Sequence, residues 1–310
     1  MNSTISVCIP TCNRPEHFEE ALQSVLRQDL TVQEVLVGDD STDKATKRVV
    51  DRYLEQEYPI RYFRNEPSLG QARNVDRLFR EASGEYLVLL HDDDLLLENA
   101  LSHLLESLKE NPNTVAAFGK QQLADANGEV KWKATKGLNA GYYRTSDFEG
   151  VQPDPIRSAI TQQFPNDGYM VRRKAATSVG YTHKDAGDAC DFMFGVTLAQ
   201  KTTGDFVYTD QYTSLYRQTE TSVARGEDSG DMAYHAFRYV HSNFPELAEA
   251  DPYVNEWMHS RAPVAVMTAA QHGYALEGMK WFFGRYHRHR IATLGGIRRF
   301  IYLVRSFVTS

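Results

Sequence analysis

Along roughly the first 120 residues, short apolar runs alternate with apolar stripes at helical spacing. Residues 5–10 are an apolar run that ends in Thr11-Cys12-Asn13-Arg14-Pro15. Phe18, Ala21, Leu22, Val25 and Leu26 then recur as one helical face, with Pro15 suited to the first turn and Asn13 paired with Glu16 as a capping box. Residues 34–37 predict a second strand ending at Gly38-Asp39-Asp40-Ser41, followed by a polar helix to about Leu54 and a third strand at 60–63. Ser68 opens the next predicted helix, with Leu69, Ala72, Val75, Leu78 and Phe79 inward, and Gly84 stops it. Residues 86–90 form a continuous apolar run of the kind buried in parallel sheets, leading straight into His91-Asp92-Asp93-Asp94. A helix over 96–109 and a strand over 115–118 complete the pattern.

Such alternation implies parallel pairing with right-handed crossovers. In open sheets of this kind ligands bind beyond the carboxyl ends of the strands. The polar clusters at 11–14, 39–41 and 91–94 all fall at predicted strand carboxyl ends, which marks them as candidate site residues. Between 124 and 165 Gly, Asn, Asp and Pro become frequent, predicting a loop-rich insertion. After Gly226 the pattern is helical to the end. There Ile297, Phe300, Ile301, Val304, Phe307 and Val308 recur at helical spacing, with Arg298, Arg299 and Arg305 off the stripe. A basic amphipathic helix of this type fits an anionic membrane surface, the protein's own core or a second subunit.

Composition narrows the classes. The 310 residues are 42% hydrophobic and 24% charged, as in an ordinary globular protein, and the net charge of −7 argues against a general nucleic-acid binder. Cys8, Cys12 and Cys190 have no metal-ligand spacing and leave an odd count, so a reducing cytoplasm is expected, with peripheral contact at the inner membrane face as the variant. Residues 1–6 enter a strand directly and predict no signal peptide. No apolar run reaches membrane-spanning length.

Apolar residues on both sides hold Asp92, Asp93 and Asp94 at the edge of a core. Two like charges about 4 Å apart repel by roughly 4 kcal/mol at an effective dielectric of 20, and a divalent cation relieves that. Carboxylates suit Mg2+ or Mn2+. The structural alternative is helix capping, the better reading for Asp94 alone.

Four segments carry a resemblance: Val7-Cys8-Ile9-Pro10-Thr11-Cys12-Asn13-Arg14, Val35-Leu36-Val37-Gly38-Asp39-Asp40-Ser41-Thr42-Asp43, Gly70-Gln71-Ala72-Arg73-Asn74 and Gly84-Glu85-Tyr86-Leu87-Val88-Leu89-Leu90-His91-Asp92-Asp93-Asp94. In this order and spacing they closely resemble glycosyltransferase family 2, strongly over 4–120, more weakly to about 225 and not beyond. The resemblance implies an α/β fold of GT-A type, a mostly parallel Rossmann-like sheet flanked by helices, with a C-terminal helical extension. It divides the chain into a GT-A domain at 1–225, with a donor half at 1–120 and an acceptor half at 121–225, and a helical region at 226–310.

It further implies a hexosyltransferase of cell-surface polysaccharide or glycoconjugate synthesis. Such an enzyme moves a sugar from a UDP-sugar (or dTDP-sugar) to a saccharide or lipid-linked acceptor, with inversion and Mn2+ or Mg2+ assistance. By the resemblance Thr11 and Asn13 lie against the nucleoside, Asp39 accepts the uracil imide hydrogen, and Arg73 braces the base or diphosphate. Asp92 contacts the ribose, and Asp93 holds the metal. Asp191, in Asp188-Ala189-Cys190-Asp191, is the expected general base, with Asp188 and Asp185 as fallbacks. Tyr169, Arg172 and Arg173 are expected near the acceptor, and Trp132, Tyr142 and Tyr143 are candidates for stacking on sugars.

Two positions depart from the family pattern. His91 replaces the first acid of the Asp-x-Asp motif, and Tyr216-Arg217-Gln218-Thr219 lacks the histidine of Tyr-Arg-x-His. Ala189 and Thr219, both outside the family pattern, make a silent nucleotide-sugar-binding protein one alternative. The other is a sugar-1-phosphate nucleotidyltransferase, although the Gly-rich phosphate loop it needs is absent after the first strand. A homo-oligomer is left open.

Overall fold

A computed structural model describes residues 3–184, 187, 189–218 and 229–309. The chain forms two compact units, one of Met1–Thr182 with Phe194–Thr219 and one of His183–Met193 with Glu220–Ser310.

The first unit is built on one nine-stranded sheet. Its strands are β1 (Ile5–Thr11), β2 (Glu34–Asp39), β3 (Ile60–Arg64), β4 (Tyr86–Leu89), β5 (Leu95–Leu96), β6 (Thr114–Ala124), β7 (Gly150–Val151), β8 (Met170–Arg172) and β9 (Asp205–Arg217). Between them come helices α1 (Pro15–Leu26), α2 (Ala45–Leu54), α3 (Gln71–Glu81), α4 (Ala100–Glu110), α5 (Trp132–Gly141), α6 (Pro155–Ile160), α7 (Arg173–Val179) and α8 (Cys190–Lys201). The order across the sheet is β3-β2-β1-β4-β8-β6-β9-β5, with β7 on β9.

Strands β1 to β4 are mutually parallel. All seven residues of β1 are buried, because strands flank it on both edges and helices cover its faces. Phe18, Ala21, Leu22 and Val25 of α1 are buried in the same core as the periodicity requires. Among the described strands, β8, β5 and β7 run opposite to the rest.

Several expectations are corrected. No helix starts at 96: Leu95 and Leu96 pair with Leu215 and Ser214 of β9, Leu97 donates to the Thr213 carbonyl, and α4 begins only at Ala100. Asp94 therefore caps no helix. Ser68 does not open α3, whose first residue is Gln71 after Gly70 at φ +76°.

The stretch read as loop-rich contains α5. Its Thr135 and Asn139 are buried and hydrogen-bond the edge of β6: the Thr135 hydroxyl accepts from Leu123 N at 2.9 Å, and Asn139 exchanges bonds with the backbone of Gln121 at 3.1 and 2.7 Å. A helix whose inward face is polar escapes a hydrophobic-period reading.

The second unit holds α9 (Ser229–Asn243), α10 (Pro245–Ala250), α11 (Pro252–Gln271), α12 (Ala275–Phe283) and α13 (Leu294–Thr309). Its described core includes Tyr234, Phe237, Val240, Val254, Met258, Ala262, Val266, Trp281 and Phe282. No helix among the described residues is long and apolar enough to cross a membrane.

Candidate active site

The parallel strands bring three chain reversals to one sheet edge. Thr11 at the end of β1 lies in register with Asp39 at the end of β2, and Asp40 N donates to the Thr11 carbonyl at 2.9 Å. The loops after the two strands are tied by Asn13, whose N–H donates to Ser41 Oγ at 2.8 Å and whose Oδ1 accepts from Thr42 N at 2.8 Å. Asn13 sits at φ +54°, a left-handed conformation that asparagine tolerates. It forms no capping box with Glu16: Arg14 is the cap residue of α1 and the Asn13 side chain is committed to the neighbouring loop.

Asp39 and Asp40 have separate tasks. Asp39 is buried; its Oδ2 accepts from Tyr62 Oη at 2.6 Å and Arg64 Nη1 at 3.0 Å, and its Oδ1 from Ser41 N at 2.9 Å. Asp40 clamps the loop leading into α3, accepting from Asn65 Nδ2 at 2.7 Å, Leu69 N at 3.1 Å and Gly70 N at 2.8 Å. Asn74, buried on α3, continues this network by accepting from Asn65 at 3.0 Å and donating to the Gly38 carbonyl at 2.8 Å. A Cβ at Gly38 would stand 2.0 Å from Asn74 Oδ1, so only glycine fits there. Arg73 is exposed in the first turn of α3 and has no ion-pair partner among the described residues.

The acidic run divides into two groups. Arg14 Nη1 bridges Asp92 Oδ1 at 3.3 Å and Asp93 Oδ2 at 2.8 Å, and Cys12 N donates to Asp92 Oδ2 at 3.3 Å. Burial raises the Asp92 carboxyl above its ordinary range; Arg14 opposes this, Asp93 adds to it, and the Thr11 hydroxyl and Cys12 amide favour the ionised form. Arg14 thus supplies the positive charge that the acid pair needs in the protein alone.

The second group is His91, Asp94 and Asp167, each offering one ligand atom within 4.8 Å of the others. His91 N donates to Asp167 Oδ2 at 2.9 Å, and Arg217 N donates to Asp94 Oδ1 at 2.8 Å. Burial first, then the neighbouring carboxylates of Asp167 and Asp93, raise Asp94 well above the usual range, with the Arg217 amide opposing. Asp167 is raised by burial, with His91 opposing. The two carboxyls titrate as a pair that favours holding a proton.

Asp167 and the Tyr216–Arg217 strand end are site residues that sequence periodicity does not single out. Asp167 arrives because β8 is antiparallel to β4 and starts where β4 ends; Gly168 N bonds the Leu89 carbonyl at 2.9 Å. Tyr216 is half-buried, and its hydroxyl is pushed up by desolvation and then by Asp94 and Asp93. Arg217 also pairs with Glu20 of α1. The polar string Pro165-Asn166-Asp167-Gly168 before β8 is the sequence signal for Asp167, and Tyr216-Arg217 belongs to the string that departs from the family's Tyr-Arg-x-His. Thr219 lies outside the described residues.

An oxygen-rich donor set with one imidazole fits a hard to borderline divalent ion such as Mn2+, which would displace the proton of the Asp94–Asp167 pair. The bridging of Asp92 and Asp93 by a single guanidinium nitrogen shows that these carboxylates are close enough to converge on one positive charge.

Asp191 is buried in the first turn of α8, in the second unit, and its Oδ1 lies 3.7 Å from Cys190 Sγ. Asp185 and Asp188 lie outside the described residues. Arg172 and Arg173 are not at this edge: Arg172 pairs with Tyr86 at the start of β4, and Arg173 Nε donates to the Gly84 carbonyl at 2.6 Å. Tyr169 is core, stacked on Phe194 and against Phe164. These three therefore leave the acceptor expectation, again because β8 runs opposite to β4. Trp132 is exposed at the start of α5, its ring 6.0 Å from that of Tyr212.

The fold is of GT-A type and is shared with solved structures. S. aureus TarS 1–349 in complex with UDP-GlcNAc superposes with a TM-score of 0.60 over 98% of this chain and 81% of that one, at 17% identity. Mannosyltransferase PcManGT from Pyrobaculum calidifontis, in complex with GDP-Man and Mn2+, gives 0.57 over 99% and 87%, also at 17% identity. At such identities the likeness defines the fold.

In sequence, the chain is 35% identical over 135 residues to GalNAc(5)-diNAcBac-PP-undecaprenol beta-1,3-glucosyltransferase of Campylobacter jejuni, spanning 43% of each chain. It is 35% identical over 104 residues to abequosyltransferase RfbV of Salmonella typhimurium, covering 32% of this chain and 31% of that protein. The chain thus spans less than two thirds of the length of these curated relatives. The profile of glycosyl transferase family 2 matches residues 6–164, just over half of the chain, and the chain belongs to that family.

Proposed function

We propose that the chain transfers a sugar from a UDP-sugar to an acceptor hydroxyl, with inversion, in the synthesis of a polysaccharide or glycoconjugate. The observation that carries this reading is the convergence of Thr11, Asp39 and the Asp92–Asp93 pair at the carboxyl edge of one parallel sheet. Family membership supplies the class of chemistry. The lipid-linked name of the Campylobacter relative supports a saccharide or lipid-linked acceptor.

In this reading the nucleoside lies against Thr11 and Asn13, and Asp39, oriented by hydrogen bonds from Arg64 and Tyr62, accepts the base imide hydrogen. Arg73, exposed near the Asp40 clamp, turns its guanidinium to the base or diphosphate. Asp92 contacts the ribose, and Asp93 holds a divalent ion, with His91, Asp94 and Asp167 next in line as ligands. When bound, that ion neutralises the charge that develops on the departing diphosphate. Arg14 orients the two acids. Asp191 removes the acceptor proton as the oxygen attacks the sugar carbon. Trp132 offers an exposed ring for an acceptor sugar.

Calorimetric titration of UDP with and without Mn2+, combined with UDP-sugar hydrolysis, tests this. UDP binding that tightens with Mn2+, and hydrolysis lost in Asp191→Asn while UDP binding persists, is the expected result. Binding without any turnover in the unsubstituted protein would favour a silent binder.

A further inference from the structure

Helix α13 has one buried side and one exposed apolar face. Leu303 and Ser306 are buried, and a Cβ at Gly278 of α12 would meet Leu303 Cδ2 at 2.5 Å, so this side seats the helix on its own unit. The entry into the helix is packed closely as well: a Cβ at Gly296 would stand 2.0 Å from the Arg290 carbonyl oxygen. The other face is turned outward. Ile297, Phe300, Ile301, Val304 and Phe307 are each 40–50% exposed, and Leu294 is 88% exposed. At 3.6 residues per turn these six positions fall within an arc of roughly 140°. Phe283 of α12, also exposed, approaches Phe300 with ring centroids 6.4 Å apart and widens the apolar surface. The apolar stripe legible in the sequence is thus the side that the unit leaves uncovered.

The charge beside this stripe has one sign. From Gly278 onward the chain carries Lys280, Arg285, Arg288, Arg290, Arg298, Arg299 and Arg305 and no aspartate or glutamate, whereas the whole protein has a net charge of −7. Arg285 is answered by Glu249 at 2.8 Å, and Arg299 is drawn to His287, whose Nε2 accepts from its Nε at 2.9 Å. Arg298 and Arg305 are exposed and flank one side of the apolar arc. A second copy of this acidic chain would bring the same basic rim against itself. An anionic bilayer offers both an apolar interior for Phe307, Ile301 and Val304 and phosphate headgroups for the arginines.

We propose that α13 and the adjoining end of α12 form a peripheral docking surface for anionic lipid bilayers. The helix lies in the interface plane, with Leu294, Ile297, Ile301, Val304 and Phe307 at the acyl boundary and Arg298 and Arg305 at the headgroups. This surface stands independently of the transfer reaction.

Flotation of the full chain with vesicles of phosphatidylglycerol and phosphatidylcholine, against phosphatidylcholine alone, tests it without reference to activity. The protein is expected to float with the anionic vesicles, and added salt is expected to weaken that binding. The double variant Ile301→Glu, Val304→Glu is expected to abolish flotation at an unchanged melting temperature. Arg298→Gln with Arg305→Gln is expected to weaken anionic binding about 30-fold and to leave the weak binding to phosphatidylcholine as it was. Absence of flotation on either vesicle, or flotation that both variants retain, overturns the proposal. A dimer by light scattering that Ile301→Glu, Val304→Glu converts to monomer, without flotation, would assign the face to self-association instead.

Discussion

At the carboxyl ends of β1, β2 and β4 the chain buries Asp39, Asp40, Asp92, Asp94 and Asp167, while on α13 it leaves Ile297, Phe300, Ile301, Val304 and Phe307 in contact with water. The two regions invert the usual placement in opposite directions. Each buried carboxylate has a partner: Arg64, Tyr62 and Ser41 for Asp39, loop amides and Asn65 for Asp40, Arg14 for Asp92, the Arg217 amide for Asp94 and the His91 amide for Asp167. The exposed apolar side chains are only partly covered by protein. Charge kept inside at the cost of desolvation, and apolar surface kept outside at the cost of hydration, both point to something that binds there. On the readings proposed above, this is a small charged ligand in the first unit and an extended surface in the second.

The contrast can be broken most sharply at Asp93. Asp93→Asn is expected to lower the turnover of a UDP-sugar by about 10²- to 10³-fold, with the melting curve nearly unchanged, because the residue holds charge and not core. A variant with ordinary turnover at every Mn2+ concentration would remove Asp93 from the site.

Next in size is Gly38→Ala, which forces a methyl group onto Asn74 and breaks the bridge from β2 to α3. A loss of about 2–3 kcal/mol in denaturant unfolding is expected.

Glu34 is the structural counterpart of the site acids, at the opposite end of β2. Burial would raise its carboxyl, but Arg61 and the Ser6 and Ser83 donors outweigh that and bring it down from 4.5 to about 2. A carboxyl depressed by folding stabilises above its unfolded value and loses that contribution as pH falls through the folded one. The protein should therefore lose about 2 kcal/mol between pH 4.5 and pH 2, with Arg61's exposure limiting the figure. Glu34→Gln should be weaker by that amount at neutral pH and flat across the same window.

The smallest effect is expected on α13. Val304→Gln should change stability by less than about 0.5 kcal/mol, since the side chain is exposed and packs on little. A larger loss by thermal denaturation would mean that the stripe is core.

The donor side of the first unit was legible because parallel strands buried on both faces read as plain apolar runs, and their carboxyl ends as abrupt polar clusters. Thr11, Asp39 and His91 to Asp94 could be placed together on that ground alone. Arg14 was visible as part of a motif, but its bridging of Asp92 and Asp93 was not, since nothing in spacing says which way a side chain folds back. Asn13 looked like a helix cap; its carboxamide in fact joins two loops whose closeness depends on β1–β2 pairing. Asp167 lies just before β8 and Arg217 at the end of β9, strands far along the chain whose pairing partners no local period encodes.

What the amino-acid order determined by itself is the alternation of strand and helix, the family and the three polar clusters at the sheet's edge, because these follow from local periodicity and short motifs. What only the tertiary structure decided is which polar residues are buried against one another and which apolar ones stay in water. Asp94 beside Asp167, Thr135 and Asn139 against β6, and the outward stripe of α13 all depend on contacts between distant segments, and burial is a property of those contacts and not of any residue alone.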